Sequence, residues 1–144
     1  MCSSDLLRSC HKQRHLQTSL KSGINYTKGE LTASKEPFAH IPPIFGKTRL
    51  LIENNRWDFE IFSIYNGWKK KEEYSTGNVD NPIEATIDGT PSWITYNFRV
   101  GIELHKYINI QFAGYNLLDA HYKQFASGIS APGRSFMLSI RTKF

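Results

Sequence analysis

No apolar run in the sequence approaches the roughly 20 residues that a membrane-spanning helix needs, and the first residues carry neither an apolar core nor a small-residue cleavage site. Neither a helical anchor nor a secretory leader is visible. Cysteine is scarce: Cys2 and Cys10 lie too close together and too near the start to staple a fold. Clustered positive charge is scarce as well. The net charge is +5, yet Lys69-Lys70-Lys71 is the one basic run and Glu72 and Glu73 follow it at once, so nucleic acid is not an expected partner. Cys10, His11 and His15 fall in a basic, Gln-rich stretch that reads as a solvated segment, and no metal site is expected there. His40, His105 and His121 fall in expected loops or turns with no neighbouring candidates for a triad or a metal site. Asp58 and Glu60 could serve as acid and base in principle, but partnership with Arg49, Arg99 or Arg141 on neighbouring strands explains them better. No catalytic residue and no cofactor are expected.

What the sequence does contain is aromatic and alternating. Its 144 residues include nine Phe, seven Tyr and three Trp, with Ile, Thr and Tyr recurring in short runs, a composition that favours strands. The fold class expected is all-β. In the middle, Ile94, Tyr96, Phe98, Val100, Ile102 and Leu104 alternate with Thr95, Asn97, Arg99, Gly101 and Glu103. A period of two sustained this long specifies a strand with a different solvent on each side. Ile108, Ile110 and Phe112 alternate with Asn109, Gln111 and Ala113. Phe136, Leu138, Ile140 and Phe144 alternate with Ser135, Ser139, Arg141 and Lys143, with Met137 and Thr142 as the imperfect members. Upstream, Trp57, Phe59, Ile61 and Tyr65 oppose Asp58, Glu60 and Asn66, while Leu50 and Ile52 oppose Arg49 and Glu53. A first strand over Leu16 to Thr27 carries Leu16, Leu20, Ile24 and Tyr26 on one side. That makes six strands.

The connections alternate in length. Asn54-Asn55-Arg56 and His105-Lys106 are hairpin-length, whereas Lys28 to Phe45, Gly67 to Ser92 and Asp119 to Pro132 are long and rich in Gly, Pro, Ser, Asn and charge. Short turns alternating with long loops are how outer-membrane barrels are built, and their alternating strands keep mean hydropathy low. In that arrangement the last strand runs toward the periplasm and Phe144 lies at the rim. Tyr26, Tyr65, Tyr96 and Phe136 then fall on the apolar face near the loop ends, and Trp57 and Phe144 near the turn ends, as two interfacial girdles would. Six strands do not close alone, because single-chain barrels begin at about eight. The expectation is a piece of a larger barrel.

Several short motifs add to this. Ile41-Pro42-Pro43 precedes Phe45-Gly46, and Gly89-Thr90-Pro91 precedes a strand opening Trp93-Ile94-Thr95. Asn116-Leu117-Leu118-Asp119 is followed by Tyr122, and Gly133-Arg134 leads to the terminal Phe144. Each has a local reading: Pro42, Pro43 and Pro91 stiffen the descent into a strand, Gly46 tolerates conformations other residues avoid, Asn116 and Asp119 bond nearby backbone to end a strand in a turn, and Gly133 permits the bend that starts the sixth strand. In this order and spacing, over residues 16–144, they resemble the C-terminal barrel segment of TonB-dependent receptors. The resemblance implies a parent barrel of about 22 strands with a plug in its lumen. It implies import of a scarce small molecule or oligosaccharide (iron chelate, vitamin or glycan) across the outer membrane of a Gram-negative-type bacterium. The plug would contact an inner-membrane energy-transducing protein; neither plug nor contact motif is in this chain. Phe136, Leu138, Ile140 and Phe144 resemble the signal read by the outer-membrane assembly machinery. Outer-membrane lipid is the implied surroundings of the apolar face.

Residues 1–15 are expected to be unstructured or foreign. Met1-Cys2-Ser3-Ser4-Asp5-Leu6 looks like a translated sequencing-adapter tail, which predicts that upstream coding sequence has been lost. Ligand contacts, if made here, are expected at loop tips, where Trp68, Tyr74 and Phe125 would be exposed. The alternative fold is a secreted β-sandwich or small barrel with its apolar face turned inward, binding a ligand through aromatic loops; it would stay monodisperse without detergent.

Overall fold

A computed structural model describes residues 16–76 and 79–144. The expectations for Cys2, Cys10, His11, His15 and the adapter-like residues 1–6 lie outside the described residues. Among the described residues eight strands run in chain order: β1 (Gln17–Asn25), β2 (Phe45–Glu53), β3 (Trp57–Asn66), β4 (Lys69–Lys70), β5 (Gly89–Thr90), β6 (Trp93–His105), β7 (Ile108–Tyr115) and β8 (Ser135–Thr142). Six of them form one antiparallel sheet in the order β1-β2-β3-β6-β7-β8, and β4 pairs with β5 separately. In the large sheet, neighbours in sequence are neighbours in space. The short turns fall at 54–56 and 106–107 and the long loops at 26–44, 67–92 and 116–134.

The register explains why one face is apolar throughout. Leu20 pairs with Leu50, Leu50 with Ile61, Ile61 with Phe98, Phe98 with Gly114 and Gly114 with Phe136, so a single row crosses all six strands. The next row on the same face is Thr18, Ile52, Phe59, Val100, Phe112 and Leu138. A shift of one residue would move every such side chain to the other face, so the alternation in the sequence fixes this pairing. Phe98 leans over Gly114, where an added Cβ would strike its ring, and Phe112 lies tilted against Phe98 (5.6 Å) and parallel to Phe136 (6.0 Å).

The burial is inverted relative to a water-soluble sheet. On the apolar face Leu20, Leu138 and Ile140 are 71%, 65% and 64% exposed, while on the opposite face Glu60, Thr95 and Asn97 are each 3% exposed. Phe62, Tyr74 and Ala113 are the buried hydrophobic residues among those described, and the buried polar ones outnumber them. A sandwich would turn Ile94, Tyr96, Ile102 and Leu104 into a core; instead each is exposed. So large a contiguous apolar surface needs a partner other than water.

Small departures from expectation have local causes. The first strand begins and ends inside its expected span. A register shift between Glu103 and His105 carries His105 into β6 and moves the second short turn to 106–107. Phe144 lies beyond β8, although pairing continues one residue further through the Lys143 N–H to the Tyr107 carbonyl.

Candidate functional site

The polar face is built around Glu60. The Arg99 Nη2 donates to Glu60 Oε2 at 2.8 Å across β3 and β6, and Arg49 Nη1 approaches Oε1 at 3.5 Å from β2. Arg141 is not part of this cluster. Two guanidinium groups holding one buried carboxylate satisfy a charge that would otherwise be costly to bury. Asp58, one pleat away, occupies the space left by Gly101, where a Cβ would press on its carboxylate. Phe62 joins the polar face under the Lys47 ammonium, 4.3 Å from the ring centre, and meets Tyr115 edge-on. The arrangement is a buried charge cluster in which the glutamate is held by two cations.

At the long-loop end the three loops are stitched together. Loop 26–44 meets loop 67–92 where the backbone N–H of His40 donates to Asp80 Oδ1 (2.8 Å), with His40 Nδ1 3.4 Å from the same oxygen, and where Thr76 Oγ1 donates to Glu36 (3.1 Å). Asp80 is therefore a partner of His40 that spacing in the sequence did not reveal. Loop 67–92 meets loop 116–134 through Asn81 Nδ2 to the Ala126 carbonyl (3.0 Å) and Lys123 Nζ to both the carbonyl and the carboxylate of Glu84. Within the middle loop, the β4–β5 pair, Tyr74 OH against Thr90 Oγ1 (2.6 Å) and Trp68 Nε1 to the Asp88 carbonyl (3.1 Å) hold the chain in place. Gly89 pairs with Lys70 at φ +105, and an added Cβ there would strike the Lys69 carbonyl, a position only glycine fills without strain.

Lys69 is the chemically unusual member. It is buried, its Nζ donates to the Ile41 carbonyl at 2.8 Å, and it lies 5.2 Å from the centre of the Phe125 ring. Burial lowers its pKa below the ordinary lysine value, partly offset by the carboxylates of Glu73 and Asp80.

The motif residues cluster at these loop bases. Asn116, buried at φ +50, donates its backbone N–H to the Asn97 side-chain Oδ1 (2.9 Å), while its own side chain accepts from the Ala120 N–H and donates to the carbonyls of Ala120 and Pro132. Asp119, at φ +55, accepts the Arg134 N–H at 2.7 Å. Tyr122 stacks on Trp93 with centroids 4.0 Å apart. Gly46 and Gly133 are glycine for space rather than unusual backbone: a Cβ would meet the Tyr65 ring at 2.7 Å in the first case and Asp119 Oδ1 at 2.7 Å in the second. Pro42 and Pro43 border a cavity of about 360 Å³ with Trp68, Lys69 and Glu73, and Pro91 borders one of about 240 Å³ with His121 and Lys123. Phe136, Leu138, Ile140 and Phe144 are exposed on or beyond β8.

Of the three loop aromatics expected to be exposed, Trp68 is and the other two are not. Tyr74 is buried and Phe125 half-buried because they pack on each other, 5.7 Å apart, where the second and third long loops meet. Sequence offers no periodicity from which a contact between two loops could be read. Among the described residues no three His, Cys, Asp or Glu side chains come together as a metal site, and no helix is long and apolar enough to cross a membrane.

An all-β sheet with six antiparallel strands, short turns at one end, joined loops at the other and its oily face outward has the fold of an outer-membrane barrel segment. Among solved structures it is similar to the copper transporter OprC, with a TM-score of 0.75 at 15% sequence identity over 88% of this chain. The chain spans 20% of the length of that protein. No family model and no curated protein matches the sequence.

Proposed function

We propose that this chain is the C-terminal part of the barrel of an outer-membrane importer of the TonB-dependent receptor type, passing a scarce small molecule or oligosaccharide inward. The observation that carries the reading is the inversion of the sheet: exposed Leu20, Ile94, Ile102, Leu138 and Ile140 against buried Glu60, Thr95 and Asn97. Hydrocarbon is the solvent that suits such a face, and a water-filled or plugged lumen suits the other. The likeness to a transporter supports this reading, as do the motifs that resemble the receptor family. Energy from an inner-membrane protein would enter through a plug encoded upstream, and Phe136, Leu138, Ile140 and Phe144 would present the chain to the assembly machinery.

Two measurements test it. Reading the genomic DNA upstream of Met1, in frame, should reveal a plug-like domain and further alternating strands; a stop codon and ribosome-binding site directly before Met1 would remove the large-barrel reading. Cell fractionation should place the protein in the outer-membrane fraction, extractable only with detergent. Recovery as a monodisperse soluble protein would favour the secreted binding module instead.

A further inference from the structure

On the polar face, one row at the loop end differs from all others. Phe45, Asn66 and Trp93 are register partners on β2, β3 and β6, so two aromatic rings stand roughly 10 Å apart, two strand spacings, with an amide between them. Loop 116–134 brings Gln124 and Phe125 to this row, where they border a half-open cavity of about 320 Å³. Its walls carry no Lys, Arg, His, Asp or Glu, whereas the cavity behind Pro42 borders Lys28, Glu30 and Glu73, that beside Pro91 borders Glu84 and Lys123, and that beside Pro82 borders Lys71. On a face whose other rows are set with charges, an uncharged aromatic row is a departure that packing does not require: Phe45 remains 41% exposed. Trp93 is held in place by its stack on Tyr122, and Gln124 is exposed with its amide free of any side-chain partner among the described residues.

We infer that this cavity binds a neutral sugar ring of a short unbranched glycan. Flat aromatic faces carry negative charge density and attract the slightly positive C–H groups of a pyranose; the Gln124 amide supplies a donor and an acceptor that hydroxyls match, and Asn66, whose Nδ2 donates to the Gly67 carbonyl, supplies the acceptor Oδ1. The absence of charge disfavours anionic chelates, whose desolvation nothing on the walls would repay. Spacing of the two rings along the strand row allows successive sugars to stack in turn. This inference rests on the importer reading and narrows its ligand class.

The test uses the complete gene product that carries these residues, purified in detergent, titrated by equilibrium dialysis with maltohexaose and cellohexaose, with indole as a hydroxyl-free aromatic control. Saturable binding of a hexasaccharide is expected, with a change in tryptophan fluorescence that disappears in Trp93→Phe. Gln124→Ala and Phe45→Ala should each weaken binding about tenfold, while Trp57→Phe, on the apolar face at the turn end of β3, leaves it unchanged. Circular dichroism confirms that each variant keeps its strands. No saturable glycan binding by the folded wild type, binding indifferent to Trp93→Phe and Gln124→Ala, or preference for indole would each overturn the assignment. Fractionation is scored separately, so a protein found outside the outer membrane removes the importer reading while the titration still decides the site.

Discussion

Arg99 donates to Glu60 at 2.8 Å from the strand directly opposite, and the carboxylate it meets is almost wholly buried. Truncating Glu60 would leave Arg99 and Arg49 facing each other without a counter-charge. Glu60→Ala should therefore cost about 3 kcal/mol of unfolding free energy in detergent, near the lower end for broken buried pairs because the arginines keep some solvent. Glu60→Gln, which still accepts from Arg99, should cost less. Urea unfolding in micelles measures both, and equal losses would show that charge contributes nothing beyond the hydrogen bond.

Charge on the other face should act through the surrounding solvent. Leu138→Arg, on exposed apolar surface, should lower insertion into bilayers by about 2 to 4 kcal/mol, whereas Gln111→Arg on the polar face should leave it within experimental error. Folding yield into liposomes gives the comparison. Equal tolerance of both arginines would mean that hydrocarbon does not cover the apolar face.

Asn116 anchors the third long loop by its side chain and occupies left-handed backbone. Asn116→Gly keeps the backbone comfortable but removes the amide bonds, at a cost of about 1 to 3 kcal/mol; Asn116→Ala should lose more, since it adds strain. Hydrogen exchange should quicken through 116–134 in both variants and stay slow in β2 and β3.

Gly101 and Asp58 share one space, so Gly101→Ala should destabilise by roughly 1 to 3 kcal/mol. Asp58→Ala in the same chain should restore most of that loss. A double-mutant cycle by thermal unfolding reads the coupling directly, and additive effects would show that the two residues do not compete.

Lys69 gives a pH dependence whose sign is fixed. Its folded-state pKa is lowered by burial, so below that value the lysine is charged in both states and the folded state bears the full penalty. As pH rises through the folded-state value toward 10.5, the folded protein releases the proton first and stability increases. Melting temperature measured from neutral pH upward should show this rise in the wild type and not in Lys69→Met.

How much of this could be read beforehand depends on the range of the interaction. Leu20, Ile61, Phe98 and Leu138 announce their face because a strand repeats every second residue and the register must honour it. Asn116 and Asp119 announce a turn because their side chains bond to nearby backbone. Tyr74 against Phe125, His40 against Asp80 and Phe45 in one row with Trp93 gave no such notice: each pair is brought together only by the fold, across loops or strands distant in sequence. Glycine spoke ambiguously. The same residue type supplies unusual backbone at Gly89 and empty space at Gly101, Gly114 and Gly133.

The clasp formed by Asn116 and Asp119 sets the exit from β7 and the entry to β8, with Asn116 bonded to the carbonyls of Ala120 and Pro132 and Asp119 to the N–H of Arg134. The chain between Ala120 and Pro132 thus hangs from a closed buckle. A different segment spliced there would give up the contacts of Tyr122, Lys123, Phe125 and Ala126 with β6 and the middle loop, while the buckle beneath would still deliver the chain from one strand to the next.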